Sequence, residues 1–276
     1  MKATMLRSLL ATIAVFTSLA CASAQERTLV IAATTSIEDS GLFPYLAGKY
    51  RERTGVTVRL VSRPTAEALR TAQDGFVDVV IGNNPTALDR FMDGGDGARR
   101  LKMMFDDFVI AGPSDDPAGL RGMKNASEAL RTLAFKRVAF VSRGDNSGTH
   151  ALERFLWDAA GVNPKARSGK WYLESGLGMG LTIAMAERVK GYVLVDRATW
   201  LAQGQHSGRE ILVEGDPRLF NQYELIVVDP AKYPNINPAT GAQFADWIAS
   251  DEGQDLIMAF MIGDRQVFFP NAKGQN

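Results

Sequence analysis

Residues Phe140–His150, "FVSRGDNSGTH", begin apolar, turn through two glycines, and carry an arginine, an aspartate and three hydroxyls. In the following "ALERFLWDAAG", Leu152, Phe155, Leu156 and Ala159 recur at helical spacing, and Gly161 is a natural stop. The pattern predicts a strand, a polar turn, then a helix. Arg143, Asp145, Ser147, Gly148 and Thr149 therefore sit at the carboxyl end of a strand and the start of a helix. Unpaired N–H groups and the helix dipole favour an anion there, and open α/β sheets bind ligands along that edge. A helix cap accounts for one of Asp145, Ser147 and Thr149, but not for all three together with Arg143.

The same alternation runs outward in both directions. "TLVIAA", "VTVRLV", "VDVVIG", "RVAFVS", "GYVLVD" and "REILVEG" read as buried strands, each followed by an amphipathic stretch. Repeated βαβ units predict α/β lobes with mostly parallel sheets flanked by helices. Two longer apolar segments, Leu101–Pro113 and Asn221–Pro230, each end in proline and read as crossings between lobes. The division that follows is residues 25–110 plus 229–276 for lobe 1 and 111–228 for lobe 2. "FADWIASDEGQDLIMAFMI" has helical spacing and packs back on lobe 1. Two lobes joined twice place a binding cleft between them.

Two further strand–helix junctions carry polar residues. In "AATTSIEDSG", Thr34, Thr35 and Ser36 close the first strand ahead of a helix near Ser40–Gly41; their hydroxyls offer anion donors, or the stretch is an ordinary cap with Asp39 or Ser40 at the N-cap. In "VSRPTAEAL", Thr65 and Ala66 open a helix, and Arg63 is an anion contact or a solvated loop charge. "SGLGMGLTIAMAERV" lacks the lysine of a phosphate loop, and its glycines fit close backbone approach to a ligand or a strand.

Catalysis and metals find little support. Ser147 and His150 are neighbours without the G-x-S-x-G elbow. His150 and His206, the two histidines of the chain, have no cysteine or acidic partner at ligand spacing, so no metal or cofactor is expected. A secreted phosphatase would need a nucleophile, base or metal constellation that this sequence lacks. Lys2 and Arg7 flank an apolar run, and Ala22-Ser23-Ala24 fits a cleavage site, so residues 1–24 read as a signal peptide for export to the periplasm. Lipid anchoring at Cys21 is the lesser alternative. The chain has 31 basic and 31 acidic residues, which excludes the basic footprint of a nucleic-acid binder. An anion must be captured by local geometry.

With these residues assembled, the sequence resembles the tungstate-binding proteins of bacterial ABC importers, relatives of the phosphate- and molybdate-binding proteins. "TTSIEDSGL", "FDDFVIAGPSDDPAG", "FVSRGDNSGTH", "WYLESGLGMG" and "VEGDPRLFNQYELIVV" carry the resemblance over nearly the whole chain after the leader. Arg143, Asp145, Ser147, Gly148 and Thr149 match the R-x-D-x-S-G-T run of the phosphate-binding relatives. The resemblance implies a two-lobed periplasmic binding protein of type II that hands an oxyanion to a membrane permease and is not an enzyme. Thr35, Ser36, Thr65 and Ala66 would contribute from one lobe, and Arg143, Ser147 and Thr149 from the other. Asp145 would orient Arg143 or neighbouring amides. The chain departs from the family pattern at Ala33, Arg63, Pro64 and Asn83, which bears on which oxyanion is bound. Tungstate leads, with phosphate, molybdate or sulfate as alternatives, and delivery to a sensor is the alternative to transport.

Overall fold

The computed structural model describes residues 28–203 and 208–272. The stretch read as a signal peptide, residues 1–24 with Cys21, and His206 lie outside the described residues. Within them, no helix is long and apolar enough to cross a membrane.

The first lobe is built on parallel strands β1 (Thr28–Ala33), β2 (Thr57–Ser62) and β3 (Val79–Gly82), with β1 in the middle. Beside β3 lies β9 (Phe220–Val228), antiparallel, and beside β9 runs the long strand β4 (Gly97–Pro113). β4 leaves the first sheet after Asp107, which pairs with Phe220. From Phe108 onward it pairs with β7 (Tyr192–Asp196), and from Ile110 also with β8 (Arg209–Val213). Strands β5 (Phe140–Ser142) and β6 (Tyr172–Glu174) complete the second sheet, parallel to β7. The parallel strands gather at one side of each sheet, and the crossing strand is antiparallel in both.

These pairings correct the domain limits read from the sequence. The first crossing falls at 107/108 rather than after 110. Residues 220–228 belong to the first sheet, since Leu225, Ile226 and Val227 pair with β3 residues Ile81, Val80 and Val79. The second lobe therefore ends near Leu219, not at 228. Pro230 follows the end of a strand and is not the boundary of a lobe, whereas the aspartates Asp106 and Asp107 stand where β4 changes sheets.

Both sheets are covered on both faces, as near-continuous apolar strands require. On one face of the first sheet, Leu29, Ile31 and Leu225 pack with Phe244, Ile248 and Ile257; on the other, Val80 and Ile226 pack with Ala68, Leu88 and Phe91. In the second lobe, Phe140 and Tyr172 pack with Leu130, Leu133 and Trp157, while Val193 and Val195 face Ile183 and Trp200. The C-terminal helical stretch is two helices, α9 (Pro238–Ala249) and α10 (Asp251–Ala259), because Ser250 accepts from the Gly253 N–H and caps the second.

One guanidinium ties the two crossings together. Arg197 reaches both oxygens of Asp107, on β4 at the first crossing, at 2.6 and 2.7 Å, and Glu214, ahead of the return, at 2.8 Å. A bidentate, partly buried pair within a network is worth more than an isolated surface pair. Arg197→Ala should cost about 1–2 kcal/mol of stability. The check is a lower urea midpoint with an unchanged slope.

Candidate functional site

Three helix starts converge on one cavity of about 440 Å³ between the lobes. Helix α1 (Thr35–Asp39) follows β1, α3 (Thr65–Gln73) follows β2, and α7 (Met179–Arg188) follows the glycine-rich turn after β6. Thr35, Arg63, Pro64, Arg143, Asp145 and Gly178 are among the residues lining the cavity. The preceding residues, Thr34, Pro64 and Gly178, make no side-chain hydrogen bond to the helices they introduce. Elsewhere the sequence supplies caps. Asn84, Asn125, Asp196, Asn237 and Ser250 cap α4 (Pro85–Asp93), α5 (Ala126–Lys136), α8 (Arg197–Ala202), α9 and α10. Away from the cavity, α2 (Leu42–Thr54), directly behind α1, is the exception among the described residues. First-turn N–H groups have no intrahelical acceptor, so the uncapped starts leave donors directed at the cavity.

A fourth helix, α6 (Gly148–Ala159), starts just beyond Asn146 of the wall, and its first residue lines a separate cavity with Asn83. Ser147 caps it by accepting from His150 N at 3.3 Å, which leaves the Gly148 and Thr149 amides without intrahelical acceptors. Asp145 accepts from Ser147 N at 3.1 Å through one oxygen and from Arg143 Nη2 through the other. Both carboxylate oxygens thus serve the protein itself. Arg143 is almost wholly buried, its Nε has no partner among the described residues, and Nη2 reaches across to Thr35 Oγ1 at 3.4 Å. That last contact joins the lobes.

The structure brings Thr35, Arg63, Arg143 and Asp145 to the cavity wall, with Thr65 buried behind Pro64 and Ala66 next to it on the first turn of α3. The helix expected near Ser40–Gly41 is α2, which begins at Leu42 after Gly41, and the short α1 at Thr35–Asp39 precedes it. Arg63 is exposed at the rim, with no ion pair among the described residues. Ser36 is buried and its hydroxyl meets Tyr223 Oη at 3.0 Å. Ser147 and Thr149 are buried at the start of α6. His150 Nδ1 accepts from Asn146 N at 3.0 Å, and burial holds its pKa below the usual value. The neutral imidazole and the Ser147 hydroxyl have the geometry of a capped turn rather than of a nucleophile and base. Among the described residues no His, Cys, Asp or Glu group of three could hold a metal ion.

Sequence reasoning missed the acids around this cleft. Asp39, Asp106 and Asp196 each carry a buried Oδ2 without a partner among the described residues. Burial raises the pKa of Asp39, with Arg143 opposing. Burial, reinforced by Asp196, pushes Asp106 well above the carboxylate range. Burial lifts Asp196 to about 6, although its other oxygen caps α8 through Thr199 N at 2.8 Å. Asn83, Asn221 and Asp106 form a hydrogen-bonded chain from Thr65 to the crossings: Thr65 Oγ1 donates to Asn83 Oδ1 at 3.2 Å, Asn83 Nδ2 to Asn221 Oδ1 at 3.0 Å, and Asn221 Nδ2 to Asp106 Oδ1 at 2.5 Å. The position of Asp196 between a strand and a helix was the one local signal available.

The PBP superfamily domain matches residues 21–252. The chain belongs to the PBP superfamily. Within that family it is 38% identical over 231 residues to the tungstate-binding protein TupA of Peptoclostridium acidaminophilum, covering 83% of this chain and 80% of the relative. The solved tungstate-binding protein TupA of Desulfovibrio alaskensis is 38% identical and superposes with a TM-score of 0.75, over 90% of this chain and 100% of the other. The solved tungstate ABC transporter protein of Geobacter sulfurreducens is 39% identical with a TM-score of 0.77, over 85% and 99%. The two-lobed binding-protein fold expected from the sequence is the fold observed.

The acids give a pH prediction. Asp196 binds its proton more tightly folded than unfolded, so its charged form costs stability as pH rises from about 4 towards about 6. Asp196→Asn keeps an oxygen for the α8 cap and removes the charge. It should gain about 1–2 kcal/mol over the parent at pH 7.5 and little at pH 4. Urea unfolding at the two pH values checks this.

Proposed function

We propose that this protein is the substrate-binding component of an ABC importer, capturing a tetrahedral oxyanion, tungstate first, between its lobes in the periplasm and delivering it to a permease. The observation that carries the reading is the set of uncapped helix starts facing one cavity together with a buried arginine. Dehydrating a dianion is prohibitive unless its oxygens are hydrogen-bonded inside. Helix starts contribute about 0.3–1 kcal/mol each, up to about 2 when partly buried. Hydrogen bonds to charged groups add about 1.5–3 kcal/mol each. Three helix starts and the Arg143 fork together reach the roughly −8 to −12 kcal/mol of micromolar to nanomolar binding. The ligand is bound and released with no bond made or broken, and the names of the similar proteins support the same assignment.

Asp145 bears on the choice of anion. With its oxygens committed to Arg143 and the Ser147 amide, it does not accept a proton from the ligand. That favours a fully deprotonated dianion. Asp39, whose buried oxygen lacks a partner within electrostatic reach of Arg143, favours a second reading, a protonated anion such as hydrogen phosphate. Titration calorimetry with tungstate, molybdate, sulfate and phosphate separates the two.

Arg143→Ala should weaken tungstate binding about ten- to a hundredfold, the worth of one or two charge-assisted bonds. Arg143→Lys should recover part, because the charge remains while the fork is lost. Arg63→Ala should cost less than Arg143→Ala, its side chain lying in solvent at the rim. Calorimetry on the three variants, with folding verified by circular dichroism, is the test. An Arg143→Ala variant that binds like the parent would reduce the cluster to a helix cap.

A further inference from the structure

The lobes also meet at a close contact of backbone with side chain, at the first residue of α6. A Cβ built on Gly148, in the second lobe, would lie 2.2 Å from Asn83 Oδ1, 2.6 Å from its Cγ and 2.7 Å from its backbone oxygen, in the first lobe. Gly148 thus touches Asn83 with its bare backbone. Neither side can retreat. Asn83 is held by Thr65 and by Asn221, and the preceding Gly82 is itself pressed against Thr65, where a Cβ would lie 2.8 Å from Cγ2. Gly148 is the first residue of α6, fixed by the Ser147 cap and the Asp145 carboxylate. Its φ is not in the left-handed region, so the turn itself does not demand glycine. The close approach does.

We infer that the contact between Gly148 and Asn83 is the stop that fixes how far the lobes close, and that it thereby sets the size of tetrahedral anion the cleft can enclose. The inference rests on the oxyanion-binding reading above. The donors ride on the same rigid pieces as the stop: Thr65 is bonded to Asn83, and Thr149 is the next residue after Gly148. The distance between the two sets of backbone and hydroxyl donors is therefore dictated by the contact. Tetrahedral dianions differ mainly in radius. Sulfate and phosphate are small, whereas molybdate and tungstate are larger and nearly equal. A hard stop discriminates between the two pairs and not within the second.

A methyl group at 148 demands roughly 1 Å more separation to reach ordinary contact distance. Gly148→Ala should leave the unliganded protein folded and about as stable as the parent, since the lobes can part to admit the methyl group. It should weaken tungstate binding about tenfold or more by lengthening charge-assisted bonds. Small-angle scattering at saturating tungstate should show a smaller decrease in radius of gyration than the parent gives. Asn83→Gln, which lengthens the stop from the other lobe, should act in the same direction and stands in if Gly148→Ala folds poorly. Asn83→Ala supplies the sign test: alone it should not strengthen tungstate binding, but in the Gly148→Ala background it should recover part of the loss. It should also narrow the preference for tungstate over sulfate, because the lobes then close further. Calorimetry with tungstate, molybdate, sulfate and phosphate reads all of this. A Gly148→Ala protein that binds and compacts like the parent overturns the stop alone. A parent that binds none of the four anions overturns the function and the stop together.

Discussion

A guanidinium buried to the extent of Arg143 is tolerated only when its charge is met, and Asp145 meets it from two residues away. The pair does more than neutralise a charge. Because the second Asp145 oxygen accepts the Ser147 amide, the same carboxylate fixes the turn between β5 and α6 and so aims the start of that helix. Removing one member of such a pair is expensive, about 3–5 kcal/mol when an uncompensated charge remains buried. The pair therefore constrains three things at once: the direction of the Arg143 fork, the register of the Ser147 cap, and the approach of Gly148 to the opposite lobe. Thr35, which Arg143 touches, belongs to a helix whose own start is uncapped, so the constraint passes across the cleft.

Much of this was legible in the sequence because it is local. A run such as "FVSRGDNSGTH" contains strand, turn, ion pair and cap within eleven residues, and the periodicity of "ALERFLWDAAG" is unambiguous. The junctions at Thr35 and Thr65 announce themselves the same way, as hydroxyls between a buried strand and a helix. The uncapped starts are a subtler matter. Thr34 looks like a cap and is not one, and only the folded geometry separates a hydroxyl that caps its own helix from one that leaves the amides free.

What escaped is non-local. Asn83 and Asn221 are 138 residues apart, and Ser36 and Tyr223 187 apart. No spacing rule joins such residues. The passage of β4 between sheets is not set by any spacing rule either: the strand is half-exposed and charged up to Asp106-Asp107 and wholly buried after it, but which strands pair with each half depends on residues far along the chain. Asp106 and Asp196 stand close for that reason. β4 and β7 pair at Phe108 and Asp196, and Asp106 lies two residues back on the same face of the strand.

Buried acids near an anion site look contradictory until the ledger of charge is considered locally. Arg143 is already neutralised by Asp145, so this pair adds no net charge to the cavity, and the helix starts meet a bound anion as dipoles. Dipoles fixed on helix starts do not reorganise when the ligand enters, and in a site of low dielectric they count for more than in water. Asp39 and Asp196 interact with Arg143, and their burial favours the protonated form over the ionised one. A field of that kind penalises anions held only by charge and favours those whose oxygens match the amides in position. Recognition then depends on geometry, which returns the weight of selectivity to the distance between the lobes. The asparagine that limits this distance is bonded to Thr65 at the start of α3 on one side and, through Asn221, to Asp106 beside the crossing on the other. Donor placement and lobe position are thus coupled through a single side chain rather than set independently.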